Sequence, residues 1–243
     1  MLQDTPWIAA LRPVTQARQN LLCFPFSGAG ATAYKPFVAH LPPDVGLYAV
    51  RLPGREQRFS EPAVSDVSVI TDHVYAAASA LFQESLLVFG HSMGTLLAYD
   101  LVRRIETSGE TVTRLVVSAR GAPHIPPSGV PIHKADRATV LSALHRLGGT
   151  PEAFFASPEL QDLVLPTLRA DFQISETYLL SEPRPVTSDI VALAGETDPL
   201  VHPENIDAWE AYTTGQFRCH HVTGGHFHIF DDPHRTLRCA LDL

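Results

Sequence analysis

The chain has 243 residues, 45% of them apolar, and a formal net charge of −8 from 18 basic and 26 acidic side chains. The length suits one mid-sized α/β domain, spanning residues 1–243, and the ordinary apolar share excludes intrinsic disorder and fibrous repeats. The acidic balance, with Lys35 and Lys134 the only lysines, argues against nucleic-acid partners and against a polybasic membrane patch.

Taken in chain order, Asn20 to Phe26 reads as a continuously apolar strand, and Gly28-Ala29-Gly30 follows as a turn. Ala31 to His40 has helical character, stopped by Pro42-Pro43, and Leu47 to Leu52 is a second strand. Val67, Ile70, Val74, Ala77 and Leu81 recur at helical spacing and mark one amphipathic face. Leu86 to Phe89 is a strand and Met93 to Ile105 a helix, and Leu115 to Ser118, Ile190 to Ala194 and Phe217 to Val222 complete the strands. A helix from Pro203 to Tyr212 separates the last two, and the chain closes in a helix after Pro233. Apolar strands alternating with helices define an α/β protein with a mostly parallel sheet covered on both faces. Residues 123–184 interrupt that rhythm with helical segments alone and read as a helical insertion covering a ligand site.

Cys23, Cys219 and Cys239 are odd in number and far apart, which suits free thiols in a reducing compartment. The N-terminus has no secretory signal and no stretch is long enough to span a membrane, so a cytoplasmic protein is expected.

The most informative run is Gly90-His91-Ser92-Met93-Gly94, a G-x-S-x-G placed between a strand and a helix. A hydroxyl is a poor nucleophile, but a sharp turn exposes it and aims nearby N–H groups at a developing oxyanion. A serine needs a base and the base an orienting acid, in this fold class in the order serine, acid, histidine after successive strands. Asp198 follows the strand ending at Ala194, and His226 follows the strand ending at Val222. Glu196 competes for the acid role; His220, His221 and His228 compete for the base.

Two other patterns invite chemistry. Gly28-x-Gly30-x-x-Ala33, with Arg51 after the next strand, resembles a dinucleotide-binding turn, but no acidic residue ends that second strand. The same turn also suits an oxyanion hole. The cluster Cys219, His220, His221, His226 and His228 suggests a metal, yet no carboxylate lies among them and strand alternation divides the histidines. No metal ligand set is assigned.

Phe24-Pro25-Phe26-Ser27-Gly28-Ala29-Gly30, Leu52-Pro53-Gly54-Arg55, the G-x-S-x-G run, Arg146-Leu147-Gly148-Gly149-Thr150-Pro151, Leu168-Arg169-Ala170-Asp171 and Gly224-Gly225-His226-Phe227 span nearly the whole chain. Together they resemble the type II thioesterases, free-standing enzymes that accompany polyketide synthases and nonribosomal peptide synthetases. Phe26 departs from the histidine that many members carry before the glycine-rich turn.

The resemblance implies an α/β-hydrolase fold with a mobile helical lid and a triad of Ser92, Asp198 and His226. It also implies an oxyanion hole made by the Ser27 and Met93 N–H groups. The implied substrate is an acyl group on the phosphopantetheine thiol of an acyl or peptidyl carrier protein, removed without metal or organic cofactor as an editing step. Phe26, Phe154, Phe155, Phe172 and Tyr178 are read either as an acyl pocket or as plain lid packing. Arg55 or Arg58 is read either as a contact for the pantetheine phosphate or the carrier, or as a solvated arginine. A general carboxylesterase or acyl-CoA thioesterase of the same fold, and a non-catalytic carrier-binding scaffold, are the competing functions.

Overall fold

A computed structural model describes residues 2–127 and 130–242. Its strands are β1 (Ile8–Arg12), β2 (Gln19–Phe24), β3 (Val45–Val50), β4 (Leu86–His91), β5 (Arg114–Ser118), β6 (Asp189–Gly195) and β7 (Phe217–Val222). They form one sheet in the order β1-β3-β2-β4-β5-β6-β7. All neighbours are parallel except β1, which runs antiparallel to β3 at the edge.

The alternation of side chains along each strand feeds two separate cores. Leu22, Val88, Val117 and Ala192 point to one face, where they meet α1 (Val67–Ala78) and α2 (Met93–Thr107). Leu21, Phe89, Val116 and Leu193 point to the other, against the 3-10 helix Ala31–His40 and the C-terminal α8 (Pro233–Leu241). Burial on both faces explains why the central strands read as unbroken apolar runs. Local signals set the helix starts: Asp66 caps α1 by accepting the Ser68 N–H at 2.9 Å.

Between β5 and β6 the chain forms α3 (Arg137–Leu147), α4 (Glu152–Ala156) and α5 (Pro158–Thr177), with no strand among the described residues of that stretch. These helices share a small core of Val140, Leu144, Phe154, Leu165 and Leu168. Ile174 of α5 reaches into the main core and ties the insertion down.

The structure differs from the sequence reading in four places. β1 is an additional strand, its five residues paired with β3 across a bulge between Ala10 and Arg12. The helix at Ala31–His40 is a 3-10 helix, with Pro36, which has no N–H to donate, inside it. The helix expected over 203–212 is α6 (Pro203–Asp207) followed by a 3-10 segment, Ala208–Tyr212. A short α7 (His228–Asp231) precedes α8.

Candidate active site

Ser92 sits at the junction of β4 and α2 with φ 53° and ψ −123°, a conformation that costs a non-glycine residue on the order of 1–3 kcal/mol. The surroundings hold it there. The Ser92 N–H donates to the Ser118 carbonyl at 2.8 Å, and the Thr95 hydroxyl donates to the Gly90 carbonyl at 2.9 Å. The flanking glycines are required by close approach: a Cβ on Gly90 would lie 2.4 Å from the Thr95 Cα, and one on Gly94 2.4 Å from the Phe24 carbonyl oxygen. The first helical residue is Met93, whose N–H has no acceptor within the helix.

His226 lies in the loop after β7, its Nε2 3.0 Å from the Ser92 Oγ and its Nδ1 2.8 Å from Asp198 Oδ2. A carboxylate only accepts, so Nδ1 carries the proton and Nε2 presents its lone pair to the serine hydroxyl. The Asp198 side chain is 1% exposed and that of His226 2%. The second Asp198 oxygen, Oδ1, accepts the Leu200 N–H at 2.9 Å, so both carboxylate oxygens are held.

The competitors fall elsewhere. Glu196 is exposed to solvent. His228 is buried with its Nε2 3.3 Å from the Ser118 hydroxyl, which in turn lies 3.0 Å from His91 Nδ1. Burial, with help from the neighbouring His226 and His228, pushes His91 well below the usual histidine range; burial lowers His228 to about 4. Both rings are therefore neutral and form a polar layer behind Ser92 and His226. His220 and His221 are on β7, and His221 is exposed.

Ser27 opens the glycine-rich turn after β2 and lines the same cavity as Ser92 and His226. That turn is fastened from outside: the Gly28 N–H donates to Asp171 at 2.7 Å, and Arg55 donates to the Ala29 carbonyl at 3.1 Å. The dinucleotide reading is overturned here. The Ala31 and Thr32 N–H groups, which a phosphate would need, donate to the Glu56 carboxylate at 3.0 Å each. Arg51 is spent on Asp4 and the Thr5 carbonyl.

The cavity has a volume of about 230 Å³. Phe26 and Phe172 line it, together with Phe227, Arg120 and Ser175. Phe154 and Phe155 do not: Phe154 is buried in the core of the insertion and Phe155 packs against it. Tyr178 is also elsewhere, packed on the main core with its hydroxyl donating to Asp100 at 3.1 Å. Arg55 is not a surface contact either, since its guanidinium is buried against Asp171; Arg58 stacks over Trp7 at 4.0 Å and pairs with Glu61. The structure adds one group invisible in the local sequence, Asp207, which meets Cys219 and His221 with their donor atoms within 4.8 Å of one another. None of the three lines the cavity.

A strained serine at a strand-to-helix turn of a mostly parallel sheet defines an α/β-hydrolase. Residues 19–240 match the thioesterase domain family, and the chain belongs to that family. It is therefore a serine hydrolase acting on thioesters. It is 36% identical over 230 residues to the thioesterase PikA5 of Streptomyces venezuelae, covering 94% of this chain and 82% of that protein. It superposes on the type II thioesterase BorB from the borrelidin biosynthetic cluster with a TM-score of 0.88 at 33% identity, covering 100% of this chain and 98% of that one. The prodiginine-pathway thioesterase RedJ of Streptomyces coelicolor matches with a TM-score of 0.84 at 31% identity, over 93% and 89% of the two chains. No described helix is long and apolar enough to cross a membrane.

Proposed function

We propose that the protein hydrolyses acyl thioesters carried on the phosphopantetheine arm of an acyl or peptidyl carrier protein. On this reading it clears stalled or incorrect acyl groups during polyketide or nonribosomal peptide assembly. The observation that carries this reading is His226 held between Asp198 and Ser92, at 2.8 and 3.0 Å, on the wall of a cavity. The pathways named for BorB and RedJ support the carrier-bound substrate.

In this mechanism Ser92 Oγ attacks the thioester carbonyl while His226 Nε2 takes its proton, and Asp198 holds the ring and steadies the imidazolium. The tetrahedral oxyanion is received by the N–H groups of Ser27 and Met93. The C–S bond then breaks and the acyl group stays on Ser92. A thiol ionises near pH ~8.5, so the pantetheine sulfur leaves readily and takes the proton that His226 Nε2 had accepted from Ser92, which frees His226 to act as a base again. Water, deprotonated by His226, attacks the acyl-serine and releases the free acid. The whole reaction consumes one water per thioester and regenerates the enzyme. Each oxyanion donor is worth roughly 2.7–4 kcal/mol of barrier, so a misplaced 27–30 turn is expected to slow turnover by orders of magnitude. In the same reading the helices of residues 123–184 act as a lid over the cavity.

Hydrolysis of a butanoyl-loaded carrier protein, followed by intact-protein mass spectrometry, tests the assignment. The wild type is expected to return the free carrier thiol and Ser92→Ala to leave the acyl group in place. Efficient turnover of simple oxoesters with none of the carrier thioester supports the general esterase instead. Carrier binding without turnover supports the scaffold.

A further inference from the structure

The cavity wall holds a cation that the mechanism leaves unused. Arg120 lies just past β5, two residues beyond Ser118, whose carbonyl accepts the Ser92 N–H at 2.8 Å. It lines the same cavity as Ser92. Its backbone is fixed on both sides: the Ala119 N–H donates to the Leu193 carbonyl at 3.1 Å, and the Trp209 indole donates to the Arg120 carbonyl at 2.8 Å. Ala119 adopts φ 51°, a left-handed conformation that redirects the chain as it leaves the strand.

The guanidinium is underused. Among the described residues its acceptors are the Ser175 hydroxyl at 3.1 Å and the Ser175 carbonyl at 2.7 Å, two bonds for a group with five N–H donors. No carboxylate among the described residues lies within ion-pair distance of it. Glu176, next along α5 and also on the cavity wall, is occupied elsewhere: it accepts the Ile132 and His133 N–H groups at 2.6 and 3.2 Å and pairs with the His133 ring. Burial lowers the Arg120 pKa to about 10, against the opposing attraction of the nearby Glu176 carboxylate, so it stays charged at neutral pH. A charged fork with free donors, in a cavity whose wall also carries Phe26, Phe172, Ile125 and Leu147 beside the polar His202 and Asn205, suits an oxygen acceptor on the bound molecule.

We propose that Arg120 forms a specificity subsite for short acyl groups bearing a second oxygen function on the chain, a 3-oxo oxygen or a terminal carboxylate. The inference rests on the thioesterase reading above. A plain alkyl chain offers the free guanidinium donors no acceptor, whereas an oxygenated chain satisfies them. A hydrogen bond to a charged group discriminates by about 10–100-fold.

The test compares kcat/KM for the butanoyl, 3-oxobutanoyl and malonyl thioesters of N-acetylcysteamine in wild type, Arg120→Met and Arg120→Lys. In the wild type at least one oxygenated substrate is expected to outrun butanoyl. In Arg120→Met the ratio of oxygenated to butanoyl turnover is expected to fall by about 10–100-fold. The arm that falls identifies the preferred oxygen, and Arg120→Lys is expected to keep more of the malonyl preference than of the 3-oxo preference, because it retains charge without the planar fork. Equal falls for all three substrates, or an unchanged ratio, overturn the proposal. Calorimetric binding of the matching amides, in which NH replaces the thioester sulfur, gives the same comparison without turnover. Loss of the oxygenated amide's advantage in Arg120→Met supports the subsite, and equal affinities overturn it. Wild-type turnover no better than that of Ser92→Ala on all three thioesters contradicts the thioesterase reading and leaves the amide result to judge Arg120.

Discussion

Arg55 grips Asp171 with two parallel hydrogen bonds of 2.7 and 2.8 Å, and the Asp171 side chain is fully buried. The pair joins the loop after β3 to the centre of α5. Through the bond from the Gly28 N–H at 2.7 Å it also fixes the turn that carries Ser27. One ion pair thus sets the height of the helical insertion and the position of a proposed oxyanion donor.

Breaking that pair strands a buried charge, which typically costs about 3–5 kcal/mol. Asp171→Asn is expected to lower the urea midpoint accordingly. It is also expected to reduce kcat more than it raises KM, because the Gly28 N–H loses its charged acceptor. An unfolding free energy within about 0.5 kcal/mol of wild type, a change typical of an ordinary surface position, would contradict the role given to the pair.

Acid stability follows from His228. Burial lowers its pKa from 6.5 to about 4. Between those values the unfolded chain binds a proton that the folded chain refuses, so stability rises with pH and is lost as pH falls from 6.5 toward 4. The loss from this group amounts to roughly 3 kcal/mol. Equilibrium unfolding of His228→Gln is expected to show a shallower decline over that window. Some decline persists, because burial lowers His91 in the same direction. Superimposable pH profiles would remove His228 from this role.

Gly94 is held against backbone that cannot move aside: a methyl group at this position would face the carbonyl oxygens of Phe24 at 2.4 Å and Pro25 at 2.7 Å. Overpacking of this kind costs about 1–3 kcal/mol. Gly94→Ala is expected to melt several degrees lower and to lose most activity, since relief of the clash shifts the Ser92 turn away from β2. Unchanged melting and turnover would contradict the close approach.

Phe172 and Phe154 separate pocket from packing. Phe154→Ala removes a buried ring from the core of the insertion and is expected to cost about 3–5 kcal/mol by denaturation. Phe172→Ala enlarges the cavity wall and is expected to shift the acyl-length profile toward longer chains at a smaller cost in stability. Identical acyl profiles in the two variants would deny Phe172 a place in the pocket.

Much of this arrangement is legible in the chain, for identifiable reasons. Strands buried on both faces leave continuous apolar runs, so β2, β4, β5 and β6 stand out. Ser92, Asp198 and His226 each follow a strand run, which is enough to expect them at one edge of the sheet. β1 leaves no such trace, because its five residues gain their structure from a distant antiparallel partner rather than from local pattern. The aromatic residues of the insertion are harder: Phe154, Phe155, Phe172 and Tyr178 look alike in sequence, and only the path of the helices decides which of them faces the cavity. Arg55 misleads for a related reason, since its partner Asp171 lies far along the chain. Asp207 beside Cys219 and His221 is another contact that no local spacing announces.

The proposed chemistry turns on a covalent acyl group forming on one oxygen atom. Mixing the protein with a butanoyl-loaded carrier, quenching in acid within the first turnover and mapping peptides by mass spectrometry reads that step directly. The predicted result is a butanoyl mass increment on the peptide holding Ser92, with neither increment nor carrier deacylation in Ser92→Ala. An increment on any other residue, or deacylation by Ser92→Ala at the wild-type rate, would contradict it.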